Sequence, residues 1–223
     1  MYKLKNIIAV CILFCTIKVA HGQTSIGIKQ GATFSQVLFS DLDFEFNTRF
    51  QQELQVGNLT GIAFKYFNQK NVGLQVELNL TQKGWTQILA TGEKFKSTLN
   101  YIQMPIMTHI RIGNGKLKPF LIGGLFLSYL NAAKENTVLE SENDKVLFHY
   151  TIADDKRFEF GLGGGGGLSL ATKIGTFQGS VKFMQGLANI IDEKGASDPT
   201  FSKNQSVEVS FGYFYTLSKL KEK

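Results

Sequence analysis

Cysteine is scarce in this chain of 223 residues: Cys11 and Cys15 are its only two, and both stand ahead of Lys18. Neither follows a small residue, since Val10 precedes the first and Phe14 the second, and this argues against lipidation at either position. Long apolar runs are lacking too. A helix that crosses a bilayer needs about 20 consecutive apolar residues, and nothing after Val19 provides them. Histidine is limited to His21, His109 and His149. Catalysis by a Ser–His pair therefore has few places to stand.

What the first residues do contain is an export pattern. Lys3 and Lys5 make a basic start, Ile7 to Thr16 is apolar, and Ala20 and Gly22 put small residues at −3 and −1 of a cut before Gln23. That layout predicts a secretory signal peptide over 1–22, with a single domain over 23–223. Both cysteines leave with it, so the mature chain holds neither a disulfide nor a thiolate. Removing Lys3, Lys5 and Lys18 also halves the formal net charge of +6. No basic stripe of the nucleic-acid-binding kind remains.

The rest reads as β structure with period-two alternation. In Leu74-Gln75-Val76-Glu77-Leu78-Asn79-Leu80-Thr81 the aliphatics fall on one face and the polar residues on the other. A helix would scatter both kinds around its circumference. Comparable runs occur at Ser25–Ser35, Leu59–Phe67, Val72–Lys83, Leu99–Ile112, Lys118–Tyr129, Arg157–Leu170, Ile174–Met184 and Val207–Tyr215. Most have the length that a tilted strand needs to cross hydrocarbon, about 9–11 residues. Short turns at Asn68–Asn71, Gly113–Leu117 and Ala171–Lys173 alternate with long polar stretches at Gln36–Asn58, Gly84–Thr98, Asn131–Lys156 and Gly186–Ser206. The expected fold class is all-β: an eight-stranded antiparallel transmembrane up-and-down β-barrel, with short periplasmic turns and four long extracellular loops. Closure requires Ser25–Ser35 to pair with Val207–Tyr215, because an open edge in hydrocarbon leaves backbone groups unsatisfied.

Leu74, Val76, Leu78 and Leu80 are then expected to face lipid. Aromatic girdles are expected from Tyr66, Phe67, Tyr213 and Tyr215 at the periplasmic end, and from Trp85, Tyr101 and Tyr129 at the loop end. The opposite face sends Lys29, Lys65, Glu77, Arg111, Glu159, Lys182 and Glu208 inward. So small a barrel has room only for its own side chains, and buried charges of both signs should pair there. Strand order puts Glu159, Lys182 and Glu208 on neighbouring strands at similar heights, which predicts an interior charge cluster with Lys182 in salt-bridge range of Glu159 or Glu208. The Lys118–Tyr129 run is apolar on both faces and carries no orientation.

Other motifs point to geometry rather than chemistry. Gly161, Gly163 and Gly166 fit a dinucleotide-binding spacing, but Leu168-Ser169-Leu170 continues a strand where that fingerprint needs a helix. The glycines instead leave interior room for long side chains from opposite strands. Asp41, Asp43 and Glu45 alternate in the first loop without the glycine and glutamate offsets of a calcium loop. Glu135, Glu140, Glu142, Asp144, Asp154 and Asp155 mix with Lys134, Lys145 and Lys156 in a solvated third loop. His109 and His149 belong to opposite ends and cannot share a site. No catalytic, metal or cofactor residues are expected, and no enzyme activity.

Taken in order, Gly27-Ile28-Lys29-Gln30-Gly31, Glu77 to Gly84, Leu99 to Ile106 and Lys118-Pro119-Phe120-Leu121-Ile122-Gly123-Gly124 resemble the PorT-type outer-membrane β-barrel domain. The resemblance covers nearly all of the chain after the signal. It implies a place in the bacterial outer membrane, contact with outer-membrane lipid and the barrel-assembly machinery, and a link to protein secretion. Barrels of this kind often end on an aromatic residue, whereas here Thr216–Lys223 continues past Tyr215. A structural, binding or secretion-associated role carried by the long loops is the leading expectation. A narrow porin-like channel and a soluble lipocalin-like carrier, with its greasy faces turned inward, remain as alternatives.

Overall fold

The computed structural model describes residues 22–40, 51–88, 94–137, 156–191 and 201–218. Its strands are β1 (Gln23–Ser40), β2 (Gln51–Glu53), β3 (Gln55–Phe67), β4 (Val72–Ile88), β5 (Lys94–Arg111), β6 (Leu117–Thr137), β7 (Phe158–Ala171), β8 (Thr176–Gly186) and β9 (Phe201–Ser218). All pairings are antiparallel. The ring runs β1–β3–β4–β5–β6–β7–β8–β9 and closes where β1 meets β9, from Thr24 opposite Ser218 to Ser40 opposite Phe201. The short β2 lies against the far end of β4, with Gln51 opposite Ile88, and acts as a continuation of β3. An eight-stranded closed barrel is thus observed as expected, and no sheet edge is left open in it.

Six of the eight wall strands are longer than their alternation suggested, with most of the extra length at the loop end, whereas β7 and β8 keep the expected length. β4 and β5 pair as far as Ile88 and Lys94, and β6 continues to Thr137. Above an apolar belt both faces of a strand can be polar, so the hydropathy contrast fades while the backbone ladder continues. The ladder runs through Gly84, whose φ of +145° is one that side-chain-bearing residues rarely adopt. There the Ser35 hydroxyl oxygen accepts the Gly84 N–H at 3.0 Å, tying β1 to β4 across the intervening β3. At the other end the turns are tight. Gly113, with φ of +84°, turns the chain from β5 into β6.

The outside of the wall is greasy. Ile28, Ile62, Leu80, Ile106, Leu121, Leu162, Val181 and Phe211 are exposed on successive strands. Of the four residues expected at lipid, Leu74, Leu78 and Leu80 are exposed and Val76 is half-buried on the same outward face. The inside holds the polar partners of the alternation: Lys29, Lys65, Gln75, Glu77, Asn79, Gln103, Lys182 and Glu208 are all buried. This is the reverse of a lipocalin, whose apolar faces surround a ligand, and the carrier alternative falls with it.

β6 acquires its orientation from the structure. Phe120, Ile122, Phe126 and Leu130 point inward, and Leu121, Leu125, Leu127 and Tyr129 point outward. The neighbouring β7 makes this possible. A Cβ added at Gly161 would lie 2.5 Å from the Phe126 ring, and one at Gly163 would lie 2.5 Å from Met184 Sδ. The glycine run is therefore a space allowance inside the lumen, as the sequence suggested. Met107, Phe120, Ile122, Phe126 and Met184 pack together in the space it frees.

Three residues assigned to the girdles are not on the outer surface. Phe67, Trp85 and Tyr101 are buried within the barrel, whereas Tyr129 and Tyr215 are exposed. Each buried ring shares the parity of inward polar residues on its own strand: Phe67 with Lys65, Trp85 with Glu77, Tyr101 with Gln103. Local alternation outweighs the general preference of aromatics for the headgroup level.

Candidate functional site

The lumen is the most highly organised polar region among the described residues. Its centre is Glu77 on β4. The Lys29 ammonium from β1 lies 2.6 Å from Glu77 Oε2, and the Lys182 ammonium from β8 lies 2.9 Å from the same oxygen. Asn79 Nδ2 donates to Glu77 Oε2 at 2.9 Å, and Gln75 Nε2 donates to Glu77 Oε1 at 2.6 Å. Lys182 also lies 2.9 Å from Glu208 Oε2, whose other oxygen accepts from Gln103 Nε2 at 2.7 Å. Two ammonium groups and two carboxylates, all buried, thus span the lumen from β1 to β9, β8, β4 and β5. Alternation brings them inward, and closure of the ring brings them together.

Of the expected cluster Glu159–Lys182–Glu208, the structure joins Lys182 to Glu208 and separates Glu159. The register explains this. Lys182 lies opposite Glu208 on β9 but opposite Gly165 on β7, six residues along that strand from Glu159. At roughly 3.3 Å per residue, six residues put Glu159 in a different layer. Glu159 instead pairs with Lys83 of β4 at 3.2 Å, where the ammonium also lies 4.8 Å from the centre of the Phe126 ring. Lys83 was absent from the inward residues read from sequence, yet it continues the series Gln75, Glu77, Asn79, Thr81 and was legible there. Glu77 was read as inward, but not as the hub. Its role depends on which side chains arrive from across the barrel.

Apolar and aromatic layers lie on either side of these charges. Toward the loops, Val37, Trp85, Phe95, Leu99, Tyr101 and Leu130 form a buried cluster with Ile190 and Ile191, which enter it from beyond β8. Ile190 donates its N–H to Ser202 O at 2.8 Å, and Ile191 donates its own to Ser202 Oγ at 3.0 Å, fixing this segment against β9. Toward the turns, the His109 ring is stacked on Phe120 at 4.5 Å and meets Phe67 edge-on at 5.2 Å. Lys65 donates to Gln178 and sits 3.3 Å over the centre of the Phe214 ring. Arg111 lies 3.4 Å over Phe67 and donates to Gln23 Oε1 at 2.8 Å.

This arrangement fills space and neutralises charge. No group of three or more His, Cys, Asp or Glu side chains suited to a metal occurs among the described residues. His109 spends Nδ1 on Gln75 Oε1 at 2.9 Å and is walled in by rings. His149, together with Asp41, Asp43, Glu45, Glu140, Glu142, Asp144, Asp154 and Asp155, falls outside the described residues, as do residues 1–21.

A closed eight-stranded wall, greasy outside and charged within, matches a known family model. The outer membrane protein beta-barrel domain fits residues 21–192, most of the chain. The chain belongs to that family. It is a small β-barrel protein of the bacterial outer membrane, with short turns toward the periplasm and longer loops outward. Among solved structures it is similar to the outer membrane protein OprG from Pseudomonas aeruginosa, at 14% identity and a TM-score of 0.53, over 88% of this chain and 98% of that one. It is also similar to the attachment invasion locus protein Ail of Yersinia pestis, at 14% identity and a TM-score of 0.44, over 87% and 99%. Neisserial surface protein A matches at 13% identity and a TM-score of 0.44, over 84% and 96%. Identities this low speak to the fold alone. No curated protein matches the chain by sequence.

Proposed function

We propose that this outer-membrane barrel is a closed, non-enzymatic scaffold, and that its specific binding is carried by the long loops rather than by its lumen. The observation that carries this reading is the filling of the lumen at successive heights. The apolar cluster around Trp85, the Lys83–Glu159 pair, the Glu77–Lys182–Glu208 network and the rings around His109 follow one another along the barrel axis. A continuous water path would have to break several buried ion pairs and part an apolar cluster, at a cost of several kcal/mol for each uncompensated ion. The long connections between strands, by contrast, are where sequence can vary without disturbing the barrel.

The finer reading is a PorT-type barrel that works beside secretion components. The order and spacing of the motifs around Leu99–Ile106 and Lys118–Gly124 support it. Export by a signal peptide over 1–22, and insertion by the barrel-assembly machinery, belong to the same proposal. Planar-bilayer recording of the purified, refolded barrel tests the closed lumen. No sustained conductance steps are expected. Reproducible steps that persist in the folded, heat-modifiable form of the protein would revive the channel reading.

A further inference from the structure

The turns and the loops of this barrel differ in charge. No Asp or Glu occurs in the three turn segments 68–71, 112–117 and 171–175, whereas 14 of the chain's 18 acids fall in the sequence stretches 41–53, 93, 135–155 and 192–198 at the opposite strand ends. The periplasmic rim holds Lys70, Arg111, Lys116, Lys118 and Lys173. Lys70, Lys116 and Lys173 are exposed in the turns and can reach headgroups, whereas Arg111 and Lys118 stand opposite the inward Phe120 and Ser169 and face the mouth of the lumen.

Backbone hydrogen bonds join these positions into one arc. Arg111 N–H donates to Asn71 O at 2.7 Å, beside Lys70; Ile112 N–H donates to Pro119 O at 2.8 Å, beside Lys118; and Ala171 N–H donates to Lys116 O at 2.8 Å, near Lys173. The arc covers the ends of β4 to β8. We propose that this arc is a binding surface for the phosphate groups of anionic phospholipid in the periplasmic leaflet.

Phospholipid fits this surface better than a protein partner because the cations are interleaved with apolar side chains that extend the lipid-facing belt. Ile112, Leu117 and Ile174 are exposed in or beside the same turns. The turns therefore stand at the edge of the hydrocarbon, where lysine stems lie along apolar surface and their ammonium groups reach the headgroups. Several cations at one headgroup level attract anionic lipid additively, and salt screens the attraction within a Debye length.

The test is lipid selectivity measured by electron spin resonance. The protein is refolded in phosphatidylcholine vesicles containing a trace of spin-labelled phosphatidylglycerol or spin-labelled phosphatidylcholine. Phosphatidylglycerol is expected to associate with the barrel at least twofold more strongly, and the preference should vanish at high salt. It should also fall to parity in the combined variant Lys70→Gln, Lys116→Gln, Lys173→Gln, with Lys116→Gln alone giving a partial loss if the combined variant does not fold. Lys96→Gln with Lys134→Gln, on exposed residues at the loop end, should leave the preference intact. Equal association in the unaltered protein, or a preference that survives loss of the arc or disappears with the loop-end pair, would overturn the proposal. Parity between the lipids together with salt-sensitive binding of polyglutamate would overturn it in favour of an acidic protein partner.

Discussion

Glu77 holds more of the lumen together than any other single side chain described here. It accepts from Lys29 of β1, Lys182 of β8, and Asn79 and Gln75 of its own strand, so its charge is compensated by two ammonium groups and two amides. Glu208 is more dependent, with Lys182 as its ion-pair partner and Gln103 as a donor to its other oxygen. Lys182→Met should therefore harm Glu208 more than Glu77. Leaving a buried ion uncompensated costs about 3–5 kcal/mol. The expected outcome is a loss of that order in the unfolding free energy obtained from urea titration in vesicles. A second change, Glu208→Gln, should restore part of it, because it removes the charge left without a counterion. Equal destabilisation by the double variant would mean that packing around Lys182, and not its charge, holds this layer.

Among the elements, β7 is the one whose sequence is least interpretable by propensity and most by space. Five consecutive glycines weaken a strand through lost side-chain contacts and greater entropy in the unfolded chain. Here they stand between β6 and β8, and their inward positions receive side chains that have no room elsewhere. Gly163→Leu would drive a side chain into Met184 and Met107, both buried. Overpacking of this kind costs about 1–3 kcal/mol. Gly164 faces outward, and a Cβ there would meet only Ile122 O, at 3.7 Å. Gly164→Leu should accordingly be tolerated in lipid. Refolding stability of the two variants side by side checks this, and equal effects would remove the space argument for the run.

At the scale of the whole barrel, the loop-end mouth is closed by an apolar cluster rather than by charge. Trp85 is the chain's only tryptophan, and it lies wholly within that cluster. Phe39 meets it edge-on at 5.8 Å. A tryptophan in an outer girdle would sit at the headgroups, accessible to quenchers in that plane. Trp85 should instead emit like a buried indole and resist both aqueous acrylamide and headgroup-attached spin labels. Efficient quenching by either would put it back on the surface and open the mouth of the lumen. The closed mouth also bears on the loops, since Ile190 and Ile191 anchor the segment that follows β8 to the barrel. Outward-facing chemistry here starts from a fixed base.

The alternation from Leu74 to Thr81 determined by itself that β4 has a lipid face and a wet face, and an even number of such strands determined closure. These are local or counting properties, and they need no knowledge of neighbours. The inward placement of Trp85, Tyr101, Phe67 and Lys83 was available from the same parity. Heights and partners were not. Glu159 and Lys182 both face inward, but whether they meet depends on register, which turn lengths and ring closure fix jointly across strands. For the same reason Glu77 could be read as inward but not as the hub, because Lys29 reaches it past the intervening β3 and Lys182 reaches it from across the lumen. The orientation of β6 was decided only in the tertiary structure. Both of its faces are apolar, and the choice followed from which set of side chains the glycine-lined interior could accommodate.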